Sequence, residues 1–248
     1  MEEDLAILVG MLLTDGCVSS ERLIIFHSKS EALIKVFKNS ICRVFGQVHF
    51  TERTESNGTK RIQIASKELV KKLTEMCKIE TFRRKRFVNG NLPETRIPDF
   101  VKNLPEDVLL KFLQVVFSTD GSISVSVRWH KTNKNWEIRK RIELSCKHKN
   151  LKNDFLEILR KTGFSPTISN DNITIQKKQD ILNFSSKVRF IPGVKIGGDS
   201  NNWKGFEKNQ ILDLAVKSFG FKNLKRFETK QQIINFLKSQ IPTPERVA

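Results

Sequence analysis

The sequence predicts an α+β fold made of two pseudo-symmetric α-β-β-α-β-β-α repeats, each with an antiparallel sheet. Three observations predict it. Leu8 to Gly16 reads LVGMLLTDG and Leu113 to Gly121 reads LQVVFSTDG, two apolar helical runs that both end in Thr-Asp-Gly. Elements of the same kind follow each run in the same order. Between the two series lies a join, Asn91 to Asp107, in which Pro93, Pro98 and Pro105 break both helix and strand.

Each element can be justified in turn. After Asp15 the apolar residues give a strand ending Ile25-Phe26-His27-Ser28-Lys29, then a helix from Ser30 to Phe45 that stops at Gly46. Gln47 to Arg53 and Arg61 to Ala65 read as two further strands, and Lys67 to Cys77 as a closing helix. After Asp120 a longer hairpin ends Glu143-Leu144-Ser145-Cys146-Lys147, followed by a helix from Asn150 to Thr162 that stops at Gly163. Pro166 to Ile168, Ile173 to Gln176 and a helix from Lys178 to Val188 complete the second series. A loop marked by Pro192, Gly193, Gly197 and Gly198 leads to two more helices, Gln210 to Phe219 and Lys230 to Ser239. The organisation expected is a first repeat over 1–92, a join over 93–104, a second repeat over 105–190 and a helical extension over 191–248, whose helices either extend the nucleic-acid contact or cover the second sheet, with the reading leaning to cover.

Leu5-Ala6-Ile7-Leu8-Val9 is apolar all round, as in a helix buried on every side. Gly10 removes a side chain and admits a close partner. Duplicated halves pack about a two-fold axis, so the two apolar helices are the natural contact. Their pairing brings Asp15 and Asp120, 105 residues apart in sequence, to the same end of the pair.

Composition narrows the partners. The net charge is +17, from 44 basic and 27 acidic residues, which points to a polyanion. Nucleic acid fits better than a membrane surface, because no long basic amphipathic helix is visible. Met1-Glu2-Glu3-Asp4 is acidic where a signal peptide is basic, and Leu5 to Leu13 is too short to span a bilayer. Cys17, Cys42, Cys77 and Cys146 are scattered, with no zinc or disulfide pattern. The expectation is a soluble, intracellular protein, monomeric because both halves lie on one chain.

Two carboxylates close together repel, and a divalent cation removes that cost. Hard oxygen donors suit Mg2+, or Mn2+ in its place, which activates water and stabilises the departing oxygen in phosphodiester hydrolysis. A two-fold axis presents two phosphates on opposite strands of double-stranded DNA to the two halves. Lys29 and Lys147 form a second repeat-matched pair, each ending the second strand of its half, where a cation can stabilise the transition state.

Strand alternation sorts the sheet faces. Ile123, Val125, Val127 and Trp129 point inward, and so do Trp136, Ile138, Ile142 and Leu144, with Lys140 breaking the pattern. Ser122, Ser124, Ser126, Arg128, His130, Glu137, Arg139, Arg141, Glu143, Ser145 and Lys147 point outward. In the first half Val48, Phe50, Ile62 and Ile64 point in, against His27, Gln47, His49, Thr51, Arg53, Arg61 and Gln63 pointing out. Arginine, glutamine, serine and histidine are the side chains that read base edges in a major groove. The run Arg83-Arg84-Lys85-Arg86 suits phosphates.

LVGMLLTDG and LQVVFSTDG resemble the two signature motifs of the LAGLIDADG homing endonucleases. The repeat pattern, the spacing and the join residues Ile97-Pro98-Asp99-Phe100 resemble the single-chain, two-motif members of that family, over about residues 5 to 188. The resemblance implies a saddle of two sheets astride DNA with the motif helices at its centre. It implies metal binding by Asp15 and Asp120, with the carbonyls of Thr14 and Thr119 as further ligands. It implies basic residues near the cleavage centre at Lys29 and Lys147, and water-holding polar groups at the positions of Ser28 and Cys146. The chain departs from the motif at Leu13 and Ser118, where the family name has its first aspartate, and at Val115, which stands where the first motif has Gly10. An alternative on the same fold is an RNA-splicing maturase that binds intron RNA. The start at Met1, with no splicing block before the first motif, is read as a free-standing or intron-encoded frame.

Overall fold

The computed structural model describes residues 1–77, 95–132, 134–198, 200, 202–222 and 224–242. The basic run at 83–86 and Pro93 lie outside the described residues.

Helix α1 (Glu2–Leu13) carries Glu2, Glu3 and Asp4 in its first turn, where carboxylates complement the helix dipole. Strands β1 (Gly16–Ser20) and β2 (Leu23–Ser28) form a hairpin, followed by α2 (Glu31–Phe45), β3 (Thr51–Thr54), β4 (Lys60–Ala65) and α3 (Lys67–Cys77). A one-turn helix α4 (Asp99–Lys102) sits in the join. The second series is α5 (Glu106–Thr119), β5 (Gly121–His130), β6 (Asn135–Ser145), α6 (Lys149–Lys161), β7 (Thr167–Ser169), β8 (Asn172–Ile175) and α7 (Lys178–Asn183). α7 runs on into a π-helical turn, Phe184–Val188. Helices α8 (Lys208–Lys217) and α9 (Lys230–Ser239) follow. The two antiparallel sheets have the same strand order, β1-β2-β4-β3 and β5-β6-β8-β7, so the duplication read in the sequence is a duplication of fold.

Local chemistry explains the elements. Helix α2 buries Leu33, Ile34, Phe37 and Ile41, one helical stripe, with Phe37 stacked on Phe26 of β2 at 4.7 Å between ring centres. It ends at Gly46, whose φ of +80° is the left-handed conformation that glycine adopts without penalty. The join is held to the second half by Asp154 of α6. Its buried carboxylate accepts the Ile97 N–H at 2.9 Å and stands 3.8 Å from the Lys102 ammonium.

Helices α1 and α5 pack against each other at the centre of the molecule, and the seam is asymmetric. A side chain on Gly10 would meet the Phe112 ring at 3.3 Å and Val116 at 3.4 Å, so the gap left by Gly10 is filled by a large residue of α5. Val115 is buried and needs no small counterpart. Phe112 also stacks on Phe155 of α6, with ring centres 6.2 Å apart. Phe112→Ala is expected to cost about 3–5 kcal/mol of stability, through lost burial and the cavity left behind. Denaturant unfolding of the two proteins measures it.

Helices α8 and α9 pack against β5 of the second sheet. The Trp203 indole N–H donates to the Val125 carbonyl at 2.7 Å, and the Trp136 indole N–H donates to the Phe227 carbonyl at 2.9 Å. Lys140, the break in the β6 alternation, points under this cover with its ammonium 4.1 Å from the centre of the Phe219 ring; burial pushes its pKa down.

Two expectations are corrected. The strand expected from Gln47 begins only at Thr51, although β4 runs on to Ala65, two residues beyond the Gln63 that Thr51 faces. Trp129, expected inside, is 44% exposed. It lies on the covered register near the tip of the β5–β6 hairpin, packed edge-on against Trp136 at 5.1 Å. Among the described residues no helix is long and apolar enough to cross a membrane.

Candidate active site

The two motif helices end alike. The Thr14 hydroxyl donates to the carbonyls of Gly10 and Met11 at 2.8 and 3.2 Å. The Thr119 hydroxyl donates to those of Val115 and Val116 at 3.0 and 2.9 Å. Each threonine therefore turns its side chain back on its own helix, and its main chain leads straight into the aspartate. Asp15 and Asp120 are both half-buried. The glycine after each is required by close approach. A Cβ on Gly121 would lie 2.5 Å from the Phe117 carbonyl oxygen and 2.7 Å from the Phe117 Cα. A Cβ on Gly16 would lie 3.0 Å from Leu12 Cα and from the Met11 carbonyl oxygen. The chain thus doubles back against the last helical turn and enters β1 or β5 directly. The first turn is also tied to its sheet, since the His27 N–H donates to the Asp15 carbonyl at 3.2 Å.

Lys208, the first residue of α8, is the residue that sequence reasoning missed. Its buried ammonium donates to the carbonyls of Phe117, Ser118 and Gly121 at 3.3, 2.7 and 2.6 Å. Burial pushes its pKa down to about 8, against the opposing pull of both Asp15 and Asp120. Gly10, near the end of α1, packs on Phe112 and Val116 of α5, so the two motif helices meet near the ends that carry Asp15 and Asp120. A lysine at the first position of a helix does not single it out, since Lys67, Lys149, Lys178 and Lys230 also open helices and are exposed.

Lys29 and Lys147 are exposed, Lys29 directly after β2 and Lys147 two residues after the end of β6. Ser28 and Cys146, at the positions where the resemblance implies water-holding polar groups, are buried. The Ser28 hydroxyl accepts the Ser30 N–H at 3.1 Å, and the Cys146 thiol donates to the His148 carbonyl at 3.5 Å. Both are occupied in starting the next helix.

Could these residues hold a divalent cation? Among the described residues there is no group of three or more His, Cys, Asp and Glu side chains. The donors present are hard oxygens: two carboxylates at the ends of paired helices, with the main-chain carbonyls of Thr14 and Thr119 beside them. Such a partial oxygen set suits Mg2+ or Mn2+, which keep waters and take further ligands from phosphate. It does not suit zinc.

The outer face of the first sheet places His27, Arg61 and Arg53 in one cross-strand row and Cys17, Ile25, Gln63 and Thr51 in the next. The Arg61 Nε is buried without a hydrogen-bond partner, and the His27 Nδ1 lies 3.5 Å from a Glu55 carboxylate oxygen. Gln47 and His49 are exposed but precede the strand. On the second sheet, Ser124 faces Arg141, Ser126 faces Arg139, Arg128 faces Glu137 and His130 faces Asn135 across the hairpin. Arg139 pairs with Glu137 at 3.1 Å, and Arg141 lies 3.9 Å from Glu143. The second face is thus less purely basic than its residue count suggests. Exposed pairs of this kind are weak, and a phosphate or guanine can displace them.

No protein-family model and no curated protein matches the chain. Solved structures do. The LAGLIDADG meganuclease I-AabMI, bound to uncleaved DNA, superposes with a TM-score of 0.59 at 10% identity, covering 96% of this chain and 99% of that one. A point mutant of I-SmaMI gives 0.55 at 13% identity over 96% of this chain and 98% of its own. I-DmoI in complex with DNA and Mn gives 0.50 at 16% identity over 75% of this chain and 96% of its own. The fold is therefore that of the LAGLIDADG homing endonucleases, and it extends over the last helices as well as the two repeats.

Proposed function

We propose that this chain, which has the LAGLIDADG homing endonuclease fold, is a site-specific endonuclease that acts as a monomer and cuts both strands of a long double-stranded DNA target with a divalent cation. The observation that supports the proposal is the packing of α1 against α5, with Gly10 on Phe112 and Val116, and an aspartate, Asp15 or Asp120, following the end of each helix. A net charge of +17 and two polar sheet faces support a nucleic-acid partner.

Asp15 and Asp120, with the Thr14 and Thr119 carbonyls, would hold Mg2+ or Mn2+. When bound, the ion lowers the pKa of water and stabilises the departing oxygen. The rest falls to the chain's own residues. The two carboxylates, fixed by glycine-dependent turns, orient the attacking water and the phosphates. Lys29 and Lys147, exposed at the rim of each half, offer N–H donors to the charge that develops on the phosphate. His27, Arg53, Arg61 and Gln63 on one sheet and Ser124, Arg128, His130, Arg139 and Arg141 on the other read base edges or hold phosphates, with Gln47 and His49 reaching from the loop before β3.

Lys29→Ala and Lys147→Ala are each expected to slow cleavage roughly 10- to 100-fold and to change DNA affinity much less. Single-turnover cleavage beside a binding titration measures both, and wild-type rates in both variants would remove the two lysines from the chemistry. The proposal itself is tested on a plasmid pool with randomised inserts. Linear product should form with Mg2+ and be lost with EDTA. Tight, salt-sensitive binding to structured RNA with no cleavage of DNA would support the splicing alternative instead.

A further inference from the structure

The Thr119-Asp120 turn is held from outside the repeats. Carbonyls in the last turn of a helix have no donor within it, and those of Phe117 and Ser118 belong to the last turn of α5. Lys208 supplies donors to both, and its third hydrogen bond goes to the Gly121 carbonyl at the start of β5. A single ammonium therefore grips the chain on either side of Thr119-Asp120. The same segment is fixed a second time by residues after α7. The Ser118 hydroxyl accepts the Ile191 N–H at 2.8 Å, and the Gln114 amide donates to the Val188 carbonyl at 2.8 Å. Lys208 is itself positioned by a capping box, in which Glu207 and Gln210 close the first turn of α8. The Glu207 carboxylate also accepts the Gly193 N–H at 3.2 Å.

We infer that Lys208 is a positioning residue for Asp120: it clamps the turn that carries this aspartate, so that the segment after the second repeat completes the half-site that cuts one of the two strands. The inference rests on the endonuclease proposal above. A lysine has the right shape for this task. Its three N–H groups fan out from one point and meet three carbonyls at 2.6 to 3.3 Å. A planar guanidinium fork cannot satisfy that cage without moving the chain.

The experiment uses the full chain and a plasmid carrying the target selected from the randomised pool. Wild type, Lys208→Met, Lys208→Arg and Asp120→Asn are compared for DNA binding, nicked and linear product, and Mn2+ binding to the protein–DNA complex by electron paramagnetic resonance. Lys208→Met is expected to bind DNA like wild type. Its ratio of nicked to linear product should rise about tenfold or more, because one strand is cut late. Its Mn2+ affinity should weaken about tenfold, as on losing an outer-shell contact. If Lys208→Met fails to fold, Lys208→Arg carries the test, with the same excess of nicked product expected. Wild-type strand ratios and Mn2+ affinity in a folded variant would overturn the inference, and so would an equal slowing of both strands. A wild-type protein that cuts nothing under any divalent cation would overturn the endonuclease proposal itself, and the inference with it.

Discussion

Asp15→Asn and Asp120→Asn should each abolish double-strand cleavage while leaving DNA affinity nearly unchanged. Loss of an outer-shell partner of a metal site commonly costs 10- to 100-fold, and loss of a carboxylate ligand removes more, so the rate should fall by more than about 100-fold. Binding should survive for two reasons. Asparagine keeps the shape of the turn, and the residues proposed to hold DNA lie along the strands of both sheets, with His27 beside the Asp15 turn as the exception. Parallel cleavage and binding titrations decide the matter. Double-strand cutting by either variant at a rate near wild type would remove that aspartate from the site.

Gly121→Ala should be nearly as damaging, though it deletes no chemical group. The added methyl would stand 2.5 Å from a carbonyl oxygen and 2.7 Å from a Cα, both main-chain atoms of α5 that cannot rotate away. The turn must open, and Asp120 must move with it. A displacement near 1 Å at a reacting centre can cost roughly 100-fold in rate. Gly16→Ala is the milder comparison, since its nearest contacts are 3.0 Å. Cleavage by the two variants should therefore fall in the order Gly121→Ala below Gly16→Ala below wild type. Wild-type cutting by Gly121→Ala would show that the turn is looser than its geometry implies.

How far the sequence carried the fold can be judged from particular residues. The duplication was legible because Thr-Asp-Gly is demanded twice by the same geometry: a hydroxyl folded back on the helix, a carboxylate, and a residue without a Cβ where the chain reverses. Helices α2 and α6 were legible from apolar spacing and the glycines after them. The start of β3 was not, because alternation continues through Gln47 to Phe50 although the pairing with β4 begins only at Thr51. Trp129 kept its register and lost its burial, since alternation gives the face but not where the cover stops. Helix α4 was hidden in a join read only through its prolines. At the proposed site, the aspartates and exposed lysines came from matching the two repeats. Lys208 was not, because it lies beyond the repeats and has no counterpart to match. The buried roles of Ser28 and Cys146 were missed because correspondence with a family position says nothing of local hydrogen bonding.

The central claim is that Asp15 and Asp120 form one metal-dependent centre that cuts both strands of DNA. The most direct measurement is sequencing of the ends released from a randomised double-stranded library by the wild-type protein with Mg2+, beside the Asp15→Asn, Asp120→Asn double variant. The account predicts ends at one long target with breaks in both strands from the wild type, and none from the double variant. Ends released equally by both proteins, or by neither, would contradict it.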